Sequence, residues 1–111
     1  MSTHPVLYQL NTRVYLTERS RELGRPATLD DLPDTLIGAL VDSGVGILWL
    51  LSVWSISLAS QKVSRSNPEW LREFAHTLPD LTDQDIAGSG FAIRDYSVAD
   101  GLGGPQALAA L

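Results

Sequence analysis

Three nearby aspartates, Asp80, Asp83 and Asp85, are hard oxygen ligands of the kind calcium takes. They lack the alternating ligand spacing and central glycine of a calcium loop, and helix capping with solvation accounts for them. Gly101-Leu102-Gly103-Gly104 precedes a helix start, where backbone amides can hold a phosphate. Its spacing fits neither the P-loop nor the dinucleotide fingerprint, so it reads as a glycine-permitted turn. His4 lies near the terminus and His76 has no second histidine at ligand spacing, which leaves no zinc set and no Ser-His-Asp arrangement. The absence of cysteine removes a thiol nucleophile, a thiolate metal site and a disulfide framework. No metal and no cofactor is therefore expected. The remaining candidates are aromatic. Trp54 follows a very apolar run, at the carboxyl end of a strand, where it can face a substrate mouth. Phe91 stands in the glycine-rich stretch Gly88-Ser89-Gly90. Packing, or anchoring of a loop, is the alternative role for each.

A chain of 111 residues has the length of one small domain. Its hydrophobic content of 44% argues against disorder. A net charge of −5 gives no electrostatic reason to expect nucleic acid or an anionic membrane as partner. Met1-Ser2-Thr3-His4-Pro5 has neither the positive region nor the apolar core of a signal peptide, so a cytoplasmic location is the default. Residues 43–61 carry no charge and are about long enough to span a bilayer, with Lys62 and Arg65 following. Five serines and two glycines make that stretch more polar than most spans, and a single membrane span there is the minor alternative.

Residues 6–16 are rich in β-formers with apolar residues on both faces, and are expected as a mostly buried first strand ending near Tyr15. Residues 17–27 are charged and hold Gly24 and Pro26, and are expected as an exposed loop with room for one helical turn. Thr28-Leu29-Asp30-Asp31 has capping-box spacing with Asp in place of Glu. Pro33 then starts a helix to about Asp42, closed by Gly44. Residues 45–54 follow as a second strand, with Trp49 in the core. Asn67-Pro68-Glu69 is a strong helix start, and Trp70, Leu71, Phe74 and Leu78 form its buried stripe up to Pro79. Thr82 caps a single turn, residues 91–98 make a loop or short strand, and a last helix opens after Gly104. Strand, helix and apolar strand in this order imply a parallel sheet, and parallel strands are covered on both faces. The elements present are too few for that cover. The chain is expected to be the front end of a larger α/β protein.

Several pieces, in order, resemble the N-terminal part of the catalytic barrel of the α-amylase family of glycoside hydrolases. Tyr8-Gln9-Leu10-Asn11-Thr12-Arg13 is similar to its first strand, and Gly44-Val45-Gly46-Ile47-Leu48-Trp49-Leu50 to its second. Residues 88–98, followed by Leu102-Gly103-Gly104, resemble the stretch leading from a substrate loop into the second barrel helix. The resemblance implies that residues 1–111 are the N-terminal portion of a (β/α)8 barrel, with a substrate-side excursion at about 55–102. It further implies a parent enzyme that hydrolyses or transfers α-glucosidic bonds with retention, through a carboxylate nucleophile and a carboxylic general acid. Those carboxylates belong to later strands, and none of the acids here matches one. Phe91 matches a position where the family usually has a sugar-stacking Tyr. Asp95 and Tyr96 match an acid–aromatic pair near the same loop, with Tyr96 expected to pack.

The substrate-side candidates are thus Phe91, Trp54 and Asp95, with no catalytic or metal residue among them. The partner implied is an α-glucan or α-glucoside for the parent enzyme, and the chain alone is expected to be inactive and to self-associate. The alternative from another class is a small non-enzymatic protein that self-associates or binds a protein partner.

Overall fold

A computed structural model describes residues 3–111. The elements are β1 (Val6–Asn11), α1 (Thr12–Leu23), α2 (Asp34–Asp42), β2 (Val45–Leu51), β3 (Trp54–Ile56), α3 (Leu58–Ser66), α4 (Pro68–Thr77), β4 (Ile93–Val98) and α5 (Gly104–Ala110). Single 3-10 turns lie at Leu29–Asp31, Asp83–Asp85 and Asp100–Leu102. The fold is mixed α/β with two small sheets, β1–β2 and β3–β4. The chain divides into two compact units: one runs up to Val53 and resumes at Val98–Leu111, and the other is Trp54–Ser97.

The first correction is at residues 12–23. The first strand ends at Asn11, and the expected strand end and loop are one helix, α1. Asn11 is the cause at one end, because its side-chain oxygen accepts the Val14 amide. Gly24, at φ +69°, closes the other end by donating its amide to the Ser20 carbonyl. Thr12 and Leu16, four positions apart, are the buried residues of α1.

The capping box at Thr28 forms as the spacing predicts, but it opens the short turn Leu29–Asp31, and α2 starts separately after Pro33. Arg25 donates to both carboxylate oxygens of Asp31, at 2.6 and 3.0 Å, and the Thr28 amide donates at 2.9 Å. The Arg25 hydrogen bond, followed by that of the Thr28 amide, lowers the Asp31 pKa to about 2. A folded-state pKa below the unfolded one stabilises the fold at higher pH. The contribution of Asp31 is complete above about pH 4 and is lost as pH falls through about 2. Asp31→Asn is expected to lower stability at pH 7 and to flatten this part of an acid titration of stability; an unchanged acid limb would contradict the pairing.

Around this turn lies the core of the first unit: Leu10, Leu16, Ala27, Leu29, Leu32, Val53, Val98, Leu102 and Ala107. Thr12 is fully buried there and its Oγ1 has no hydrogen-bond partner. An unsatisfied buried hydroxyl costs about 1–3 kcal/mol. Thr12→Val keeps the shape and removes the hydroxyl, so it is expected to raise the urea midpoint by about 1 kcal/mol of stability. A fall of that size would show that the hydroxyl is bonded in solution.

β1 and β2 pair in parallel, with a register shift between Val6 and Leu7 that leaves Leu7 opposite Ile47, Gln9 opposite Trp49 and Asn11 opposite Leu51. Side chains alternate between faces along a strand, so these three pairs share one face and Tyr8, Leu10, Leu48 and Leu50 share the other. The second face holds buried Leu10 and half-buried Leu48 and Leu50. The first face is open: Leu7 is 52% exposed, Ile47 40% and Trp49 43%. The expectations of a mostly buried first strand and a core Trp49 are both corrected on this point. The second face is covered only in part, since Tyr8 on it is 42% exposed, and the first face is open along Leu7, Ile47 and Trp49.

Residues 43–61 do not form one long helix. They form β2, a turn, β3 and the start of α3. Gly44 at φ +90° sets β2 off from α2, and a left-handed Ser52 ends β2. Among the described residues, no helix is long and apolar enough to cross a membrane.

The second unit packs around Ile56 and Ile86. Ser57 caps α3, and Asn67 caps α4 by accepting the amides of Glu69 and Trp70. Helix α4 begins where Asn67-Pro68 predicts, but it has no buried residue and Trp70 is 43% exposed, against the expectation of a buried stripe. Thr82 opens the turn Asp83–Asp85 as expected, its amide donating to the Asp85 carboxylate at 2.8 Å.

Candidate functional site

All three substrate-side candidates fall in the second unit. Trp54 opens β3, and the second strand that was expected to run through it stops at Leu51. β3 pairs with β4, and the connection is tightened by the Ser57 amide donating to the Ala92 carbonyl at 2.7 Å and the Ser55 hydroxyl donating to the Ser97 carbonyl. Half-buried Trp54 meets Tyr96 of β4 edge to face, with ring centroids 5.8 Å apart and planes at 81°. Such pairs hold ring orientation while leaving faces available. Tyr96, expected to pack, is 78% exposed. It is the aromatic partner that reading Trp54 by itself does not find.

Asp95 lies one position before Tyr96 and so on the opposite face of β4. Its carboxylate accepts the amide of Ser97 at 2.9 Å and also the Ser97 hydroxyl. The Ser97 hydroxyl, then its amide, holds the Asp95 carboxyl below its ordinary range. A carboxylate stabilised in this way accepts hydrogen bonds from hydroxyl groups; at neutral pH it has no proton to donate. The structure therefore pairs Trp54 with Tyr96 and sets Asp95 on the other side of the strand. Phe91 sits in the turn before β4, its amide bonded to the Ser89 hydroxyl oxygen and its side chain 73% exposed. A ring this bare is available to lie against an apolar ligand face.

The second unit also holds an open cavity of about 330 Å³, walled mainly by Phe74, Leu78, Leu81, Ile86 and Ala87. Phe74 and Leu78 from the expected stripe of α4 line this space, whereas Trp70 and Leu71 do not. Arg65 supports the wall by donating Nε to the Ile86 carbonyl at 2.9 Å. Among the described residues, no group of three His, Cys, Asp or Glu side chains could hold a metal ion.

In the first unit, polar groups gather at the carboxyl end of the parallel pair, the end where open and barrel α/β proteins bind ligands. Arg13, the second residue of α1, donates Nε to the Ser52 carbonyl at 3.1 Å. Burial lowers the Arg13 pKa from its ordinary value, and the guanidinium stays charged. Ser52 has φ +65°, the only positive value at a non-glycine among the described residues.

No family model matches this chain, and neither the curated proteins nor the solved structures contain a match to it.

Proposed function

We propose that the chain supplies the opening strand–helix–strand segment of an α-amylase-like (β/α)8 barrel, in a cytoplasmic enzyme that hydrolyses or transfers α-glucosidic bonds with retention. The observation that carries this reading is the parallel β1–β2 pair with one partly covered face and one open apolar face. In a barrel the open face would line the interior and meet the inward side chains of the strands across it, and both sheet edges would be paired. A long excursion after β2, folded as the compact unit Trp54–Ser97, also fits the place where barrels carry substrate loops. On this reading Phe91 and Trp54 offer aromatic faces to the apolar side of a glucosyl ring; Asp95, on the other side of β4 from the Trp54–Tyr96 pair, accepts a sugar hydroxyl only outside that subsite. On this reading the catalytic carboxylates come from strands outside residues 1–111, so this segment alone has no turnover and self-associates.

The test is the activity of the full reading frame that carries this segment, on α-linked glucosides, with product anomers read by NMR. Retained configuration is expected. Trp54→Ala and Phe91→Ala are each expected to lower kcat/KM about 10- to 100-fold, the range for losing an aromatic contact of about 1.5–3 kcal/mol. Absence of α-glucoside turnover in the wild type would contradict the proposal, and unaffected variants would remove the two rings from the site.

The same open face favours a second reading, a small non-enzymatic protein that self-associates or binds a protein partner through it. That reading expects a defined oligomer and no glycosidic activity.

A further inference from the structure

We infer that Arg13 is a positioning residue that holds the chain in a left-handed turn at Ser52, and so fixes the point where the backbone leaves the first unit. The sequence of contacts runs through four residues. Arg13 donates Nε to the Ser52 carbonyl at 3.1 Å, 39 positions away in sequence. Ser52 directly follows β2 and adopts φ +65°, a conformation that costs serine energy and persists only where its surroundings enforce it. The next residue, Val53, is buried, and its carbonyl accepts the amide of Ala99 at 3.0 Å. Ala99 follows buried Val98, where the chain re-enters the first unit. The exit and the return of the backbone are therefore joined by one hydrogen bond, whose acceptor is aimed by the turn at Ser52.

Arginine suits this role. Its planar guanidinium donates in a fixed direction and keeps its charge when half-buried. Without that donor, Ser52 is free to relax to negative φ, which rotates the Val53 carbonyl away from Ala99. Glycine at position 52 would keep the left-handed turn without help, because it lacks a Cβ. The two positions must then be energetically coupled, and coupling separates this role from simple packing of the arginine stem.

The experiment is a double-mutant cycle on the whole chain, read by hydrogen exchange of the peptide carrying the Ala99 amide. Arg13→Met is expected to speed exchange there about tenfold in the Ser52 background, and less than about twofold in a Ser52→Gly background. Ser52→Ala, which tolerates the turn no better than serine, is expected to keep the full sensitivity to Arg13→Met. Equal acceleration in the serine and glycine backgrounds, or none in either, overturns the inference. Arg13→Lys provides a milder perturbation should methionine unfold the chain. Its effect must likewise shrink when position 52 is glycine, and an undiminished effect overturns the inference as well.

Discussion

Gly103→Ala is expected to unfold the first unit. Gly103 has φ +105°, outside the range that residues with a Cβ ordinarily adopt. A Cβ built there would lie 2.5 Å from the Ala107 Cβ and 3.2 Å from the Thr28 Cβ. Neither neighbour is the end of a flexible side chain, so neither can swing aside. Relief would have to come from the backbone of α5 or of the turn beginning at Thr28, and both contribute buried residues to the core. The backbone penalty and the overlap together are expected to cost at least about 3 kcal/mol. Loss of slow-exchanging amides in the first unit, at matched protein concentration, is the readout. A Gly103→Ala chain with wild-type protection would show that α5 does not close on Thr28 as described.

Leu29→Ala is the second large effect. Leu29 is 1% exposed, and its turn carries the Thr28–Asp31 box on its outer side and packs on α5. Truncation of a buried leucine loses its transfer free energy and leaves a cavity that collapses only in part, about 2–5 kcal/mol together. The upper half of that range is expected, because the capping box fixes the backbone at Thr28 and Asp31 and hinders collapse. A loss of unfolding free energy in urea below about 1 kcal/mol would mean that the turn moves inward freely.

The parts of the fold legible in the sequence were those with local causes. Pro33, Asn67-Pro68, the Thr28 and Thr82 boxes, and Gly44 at φ +90° all act within a few residues of themselves, and each marks a boundary close to where it was expected. Helix α1 was missed because Arg13-Val14-Tyr15-Leu16 looks like a continuing strand by composition. The available signals were Asn11 as a cap and Gly24 at the far end. Helix α3 has its only large apolar side chains, Leu58 and Val63, exposed to solvent, so it offers no periodic stripe to read. The exposure of Trp49 and Trp70 was not legible either. An apolar pattern specifies a face that wants cover, whereas the cover itself depends on what packs against it.

The candidate site divides along the same line. Trp54 and Phe91 stand out as aromatics near a strand end and glycines, and Asp95 enters only through the family resemblance. Their relation depends on the pairing of β3 with β4, which brings Tyr96 to Trp54 and turns Asp95 away. Pairing between strands about forty residues apart has no local signature.

The account turns on the open face of β1–β2, and calorimetry of the isolated 111-residue chain at two concentrations addresses it most directly. Leu7, Ile47 and Trp49 on a bare parallel sheet predict a broad transition that moves with concentration, as copies cover the face for one another. A sharp, concentration-independent transition, with equal calorimetric and van't Hoff enthalpies, would mean that the monomer is content with that face in water. It would contradict the central claim that this sheet is built to be covered by further strands.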